Sequence, residues 1–139
     1  MDFQAYNKIL ICRDNIRNVT VDGRKLGYEF YMKYPSYRGA FLSCIEELRF
    51  YVDEEEIPAN CVRFQLNGKE FLLDELPHCF KEYWFVRDKA TVKVLNKAGL
   101  AEGEHRIRVF MKHRVPYTGY FGQYLVLDSD VTEVRNCIS

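Results

Sequence analysis

A chain of 139 residues has the length of one ordinary domain and can bury roughly 70% of its unfolded surface, so a single core suffices. Twenty Lys plus Arg balance twenty Asp plus Glu, which leaves no net positive field for nucleic acid or an anionic membrane surface and makes both poor partners. A hydrophobic content of 47%, with ten Phe, ten Tyr and one Trp, argues against disorder and for strands, because bulky aromatic side chains suit a pleated, half-buried surface.

The opening Met1-Asp2-Phe3-Gln4 has no basic region leading into an apolar run, and no stretch approaches the roughly 20 apolar residues of a membrane span, so a cytoplasmic chain is expected. In chain order, strands are predicted over residues 16 to 21 and 27 to 34, bounded by Gly, Pro, Asn or Asp. Strict alternation follows at Leu48, Phe50 and Val52 against Glu47, Arg49 and Tyr51. The acidic run Asp53-Glu54-Glu55-Glu56 reads as a solvated loop between strands, with docking on a basic partner as the functional alternative. Val62 to Leu66 and Lys69 to Leu73 flank Asn67-Gly68, the dipeptide whose left-handed tolerance specifies a tight hairpin. One helical turn is expected within residues 77 to 85. Beyond it come a strand over 90 to 95, alternation at Ile107, Val109 and Met111 against Arg106, Arg108 and Phe110, and a last strand over 124 to 127 that extends through 131 to 135. With no repeat and no linker, the expectation is one all-β domain over residues 1 to 139, an antiparallel two-sheet β-sandwich of jelly-roll type with at most one short helical turn.

Candidates for chemistry are weak. His105 and His113 share a strand face but stand eight residues apart, about 26 Å along a strand and too far to share one ion. His78 is isolated, and all three read as structural or exposed. Cys44 beside Ser43 invites a nucleophile reading, yet no hydrolase signature surrounds it, and a buried small hydrophobe is the better account. The five cysteines, Cys12, Cys44, Cys61, Cys79 and Cys137, contain no C-x-x-C pair and read as reduced thiols. Glu46, Glu47, Asp74 and Glu75 show no spacing that selects a catalytic pair. The segment Gly99-Leu100-Ala101-Glu102-Gly103 lacks the Lys-Ser/Thr ending of a phosphate loop and reads as a loop before a strand. No residue is assigned as catalytic or metal-ligating.

Aromatic clusters are more informative: Tyr28, Phe30, Tyr31 and Tyr34; Tyr83-Trp84-Phe85; and Tyr117, Tyr120, Phe121 and Tyr124. Most such rings fill a core, but the Gly-rich segment 116 to 122 is too polar to be core throughout, so an interface or gating role is expected there.

Four stretches together resemble the β subunit of the bacterial C-glycoside deglycosidases. They are Val21-Asp22-Gly23 leading to Gly27-Tyr28-Glu29-Phe30; Tyr34-Pro35-Ser36-Tyr37-Arg38-Gly39-Ala40-Phe41-Leu42-Ser43-Cys44-Ile45; Leu73-Asp74-Glu75-Leu76-Pro77 with Trp84; and Gly99-Leu100 with Gly103-Glu104-His105 and the Pro116-Tyr117 loop. The Tyr-Arg-Gly to Leu-Ser-Cys-Ile block is the most specific.

The resemblance implies a small β-sandwich subunit paired with a larger, catalytic α subunit shaped like a sugar-isomerase (β/α) barrel; a sandwich with this much aromatic surface also has something to bury in higher αβ assemblies. It implies cleavage of the C–C glycosidic bond of a 3-oxo-C-glucoside, the aglycone being a flavonoid or related phenol. It places the divalent metal, manganese, and the histidine base on the α subunit, so no cofactor is expected on this chain. Residues 34 to 44, with Tyr37 and Arg38, are the expected partner contact, together with Tyr117, Tyr120 and Phe121. The competing readings are a stand-alone carbohydrate-binding sandwich and a small enzyme working through Cys44.

Overall fold

The computed structural model of the chain describes residues 3–115 and 125–138, and strands dominate them. In chain order these are β1 (Ile16–Val21), β2 (Arg24–Met32), β3 (Ala40–Phe41), β4 (Ile45–Val52), β5 (Glu55–Glu56), β6 (Val62–Leu66), β7 (Lys69–Phe71), β8 (Tyr83–Trp84), β9 (Ala90–Leu95), β10 (Gly103–Val115) and β11 (Leu125–Ile138). Nine form one large sheet in the order β5-β4-β10-β11-β1-β2-β9-β6-β7, and β3 pairs with β8 in a small second sheet. The chain is all-β, as its alternation requires.

The large sheet curls on itself. Phe30 of β2 meets Phe50 of β4 edge to face, with ring centroids 5.7 Å apart, although β10, β11 and β1 lie between their strands in the sheet. The link with the fewest paired residues along that path is β1 with β11, which also runs parallel and joins only Ile16 to Cys137 and Arg17 to Ile138. A junction that short constrains the twist least, so the layers that face one another are two parts of one sheet. Alternation fills the space between them: Leu48, Phe50, Val52, Ile107, Val109 and Met111 are buried, while Arg49, Arg106 and Arg108 face out.

The Asn67-Gly68 hairpin forms as its residues demand. Both positions hold positive φ, 55° and 75°, the pair a type I′ turn needs, and Leu66 pairs with Lys69 and Phe64 with Phe71. Asp22-Gly23 makes the same kind of turn, with φ of 51° and 77°, so β2 begins at Arg24 rather than at residue 27, and it ends at Met32 rather than at 34. The acidic run is more ordered than a loop. Asp53 and Glu54 turn at φ 50° and 73°, and Glu55–Glu56 pairs back on β4.

The helical turn expected within 77 to 85 lies earlier, over Leu73–His78, where Glu75 Oε1 accepts from the Leu72 N–H at 2.7 Å; Tyr83–Trp84 is strand instead. Further 3-10 turns span Phe3–Ile9, Leu42–Cys44 and Ala59–Cys61. Turns this short carry no 3.6-residue apolar period, so hydrophobic patterning is blind to them. The last strand does continue through 131 to 135, as β11 over Leu125–Ile138. Among the described residues no helix is long and apolar enough to cross a membrane.

Candidate functional site

The tripeptide Tyr83-Trp84-Phe85 cannot put all three rings on one side of a strand, because successive side chains point to opposite faces. Trp84 takes the inside. It is fully buried, lies edge to face against Tyr34 at 5.3 Å and Phe64 at 5.4 Å, and its Nε1–H donates to the Asp88 carbonyl at 2.9 Å. Tyr83 and Phe85 therefore turn outward, where Phe85 is 59% exposed.

The same logic governs β3. Its register sets Ala40 opposite Trp84 and Phe41 opposite Tyr83, so Phe41 also faces out, at 43% exposure. The Phe41 and Tyr83 rings meet at 5.1 Å and 86°, and Tyr83 and Phe85 at 4.7 Å and 60°. They form an edge-to-face aromatic cluster on the protein surface. With Gly39, Val86, Arg87 and Asp88 they line an open cleft of about 580 Å³. Clustered apolar rings exposed to water mark a contact surface, since among the described residues nothing covers them.

Gly39 lets the two short strands approach. A Cβ at this position would lie 2.2 Å from the Trp84 carbonyl oxygen and 3.1 Å from Phe85 Cα, a clash that no rotamer could relieve. The chain beyond is pinned by the Leu42 N–H to the Glu82 carbonyl at 2.9 Å and the Ser43 N–H to the Cys79 carbonyl at 3.2 Å. Arg114 Nη2 donates to the Ser43 carbonyl at 2.6 Å.

Of the partner-contact residues named from sequence, Tyr37 is half-buried with its ring 6.1 Å from Tyr6. Arg38 is exposed, in the stretch that leads through Gly39 into the cleft wall. Tyr117, Tyr120 and Phe121 lie outside the described residues. Sequence reasoning noticed the 83–85 cluster and Phe41 within its block but not that they meet. The signal was there in part, because three adjacent aromatics in a strand oblige one or two to face outward.

The histidines have separate environments. His105 directs Nδ1 at Asp53 Oδ2, 2.6 Å away, and Nε2 at the Ala101 carbonyl, 2.7 Å away. Partial burial opposes its charge, but the Asp53 carboxylate and then the Ala101 carbonyl outweigh it and raise its pKa above the ordinary value. His113 is buried and contacts the Tyr34 hydroxyl through Nδ1 at 3.1 Å, while among the described residues no group reaches its Nε2. Burial, opposed only weakly by Asp128, lowers its pKa to about 4. His78 is exposed.

Cys44 is buried, and burial pushes its thiol pKa up in spite of Arg114 beside it. A thiol so held stays protonated at neutral pH and is a poor nucleophile. All five cysteines are free of disulfides. Among the described residues no three His, Cys, Asp or Glu side chains converge on a point that could hold a metal ion.

The family model of the C-glycoside deglycosidase beta subunit matches residues 6–117. The chain belongs to the C-glycoside deglycosidase beta subunit family. It is 35% identical over 94 residues to the C-glycoside deglycosidase beta subunit of Eubacterium cellulosolvens, covering 68% of this chain and 63%, under two thirds, of that relative. It is 32% identical over 96 residues to the C-glycoside deglycosidase beta subunit of Microbacterium trichothecenolyticum, covering 69% and 71% of the two chains. The 3'-dehydrocarminate deglycosidase beta subunit of a Microbacterium species is 33% identical over 99 residues, 71% of this chain and 74% of its own. The stretch matched by the C-glycoside deglycosidase beta subunit family contains the whole aromatic cleft, whereas β11, next to β10 within the large sheet, lies beyond it.

Proposed function

We propose that this chain is the small β subunit of a heteromeric, cytoplasmic C-glycoside deglycosidase and docks a catalytic α subunit on the Phe41–Tyr83–Phe85 face. The observation that carries the reading is the family match over residues 6–117; the exposed aromatic cluster supplies a surface suited to the docking. The α subunit is a sugar-isomerase-like (β/α) barrel that holds a divalent metal, manganese, and the catalytic base.

The proposed substrate is a 3-oxo-C-glucoside of a flavonoid or related phenol. A ketone at C3 acidifies the proton at C2, because the resulting carbanion delocalises onto the carbonyl oxygen. A base removes that proton, C1 and C2 become doubly bonded, the bond from C1 to the aryl carbon breaks, and an acid protonates the aryl carbon. A divalent metal on the α subunit would polarise the sugar oxygens and so lower the barrier to forming the enolate. The relative whose name specifies a 3'-dehydro substrate is in keeping with an oxidised sugar.

Co-expression with the cognate α subunit, size-exclusion chromatography and an assay on a 3-oxo-C-glucoside with and without manganese test the reading. A stable complex active only with both chains supports it. A folded monomer that never binds the barrel but binds sugars would favour the carbohydrate-binding module, for which exposed rings are also the required feature. Arg38→Ala tests the neighbouring segment: unchanged co-purification and activity would remove Arg38 from the interface.

A further inference from the structure

A second open cleft, about 390 Å³, adjoins the aromatic one and shares Val86 and Arg87 with it. Four cations, Arg13, Lys33, Arg87 and Lys89, stand along it. The carboxylates nearby are Asp14, which lines the same cleft, and Asp88, which lines the aromatic one. Asp14 is already engaged by Lys89 at 2.8 Å, whereas among the described residues no ion pair joins Arg13, Lys33 or Arg87 to an acid.

In a chain with zero formal net charge, this is a local concentration of uncompensated positive charge. The backbone beneath it is held rigidly, since Arg135 donates to the Cys12 carbonyl at 2.7 Å and the Ile11 carbonyl at 3.1 Å. Burial raises the pKa of Cys12, and Lys89, Lys33 and Arg135 pull it back down against Asp14, so Lys33 and Lys89 both act on the cleft floor.

The geometry points to a composite docking site in which this basic cleft receives an acidic segment of the α subunit while Phe41, Tyr83 and Phe85 take an apolar anchor beside it. This rests on the subunit reading and names the chemistry of the partner's contact. Like charges gathered at a surface repel one another when the subunit is alone, and carboxylates from a partner relieve that repulsion, steer the encounter and set its orientation. An aromatic core with a charged rim is the ordinary anatomy of an interface. A free small anion fits less well, because the cleft is open and would leave it in contact with water.

The test is the salt dependence of the affinity between full-length β chain and cognate α subunit, measured for three proteins. These are the wild type, the double variant Arg13→Glu/Arg87→Glu, and Lys25→Glu/Lys97→Glu, which makes the same charge change near the start of β2 and just past the end of β9, away from the cleft. Matching thermal melts establish that all are folded. The expected result is a wild-type complex that weakens with salt, a loss of roughly tenfold or more in the Arg13/Arg87 variant with a shallower salt slope, and little change in the control. If the complex forms but the Arg13/Arg87 variant behaves like the control, the inference is overturned while the subunit reading stands. Absence of any complex overturns both, and a homodimer of this chain broken by the same variant overturns it in favour of a second copy as the occupant.

Discussion

The Tyr34 hydroxyl and His113 Nδ1 meet at 3.1 Å from positions 79 residues apart, and both side chains are buried. Tyr34 also packs on Trp84, so the contact joins β10 to the wall of the aromatic cleft. A protonated His113 would bury a charge and carry an Nε2–H that no described group accepts, and burial keeps the ring neutral down to a pKa of about 4.

Between pH 6.5 and 4 the unfolded chain binds a proton at this residue that the native chain refuses. Its contribution to stability is fully present above pH 6.5 and is lost as pH falls toward 4. The drop from 6.5 to about 4 corresponds to on the order of 3 kcal/mol. Urea unfolding at neutral pH and near pH 4 should show that decline in the wild type and a smaller one in His113→Phe. Equal declines in both would mean that another group is responsible.

His105 carries the opposite sign. Its raised pKa means that the Asp53 contact stabilises the fold below pH 6.5 and that this contribution fades as pH rises through the folded value. Asp53 has its pKa lowered, burial being outweighed by His105 and the Arg106 N–H, so its share is present above its unfolded value and lost as pH falls through the folded one. NMR titration should place the His105 midpoint above 6.5, and Asp53→Asn should bring it down. A midpoint unchanged in Asp53→Asn would show that the carboxylate does not set it.

Gly39→Ala should be destabilising out of proportion to one methyl group. The added Cβ meets the Trp84 carbonyl at 2.2 Å, and separating β3 from β8 to relieve it costs roughly 1–3 kcal/mol. A thermal melt of the variant indistinguishable from wild type would show that the two strands can part freely.

Phe85→Ser and Trp84→Ala should separate binding from folding. Removing the exposed Phe85 ring is expected to cost at most about 1 kcal/mol of stability but roughly tenfold or more in affinity for the α subunit. Removing Trp84 is expected to cost about 3–5 kcal/mol and to unseat the whole cleft. Stability from chemical denaturation and affinity from a binding titration decide both; full affinity in Phe85→Ser would take the docking surface elsewhere.

Much of the fold was legible from the chain alone because it is written in local rules. The period-two runs of β4 and β10 and the Asn67-Gly68 turn depend only on which side of a strand each residue faces and on which residues tolerate positive φ. The Asp22-Gly23 turn obeys the same rule and is legible in the same way. The 3-10 stretches were not readable, because even the longest, seven residues over Phe3–Ile9, is too short to show a periodicity.

The amino-acid sequence by itself determined that this chain is all-β, where its strands alternate, and, through the Tyr37-Arg38-Gly39 block and its companions, which family it resembles. Only the tertiary structure decided that the two layers are one curled sheet, that Trp84 goes in while Tyr83 and Phe85 go out, and that His113 finds Tyr34. It also gathered Arg13, Lys33, Arg87 and Lys89 along one cleft. Those outcomes depend on which distant segments meet, and burial, unlike backbone preference, is a property of the neighbours a residue acquires and not of the residues beside it in the chain.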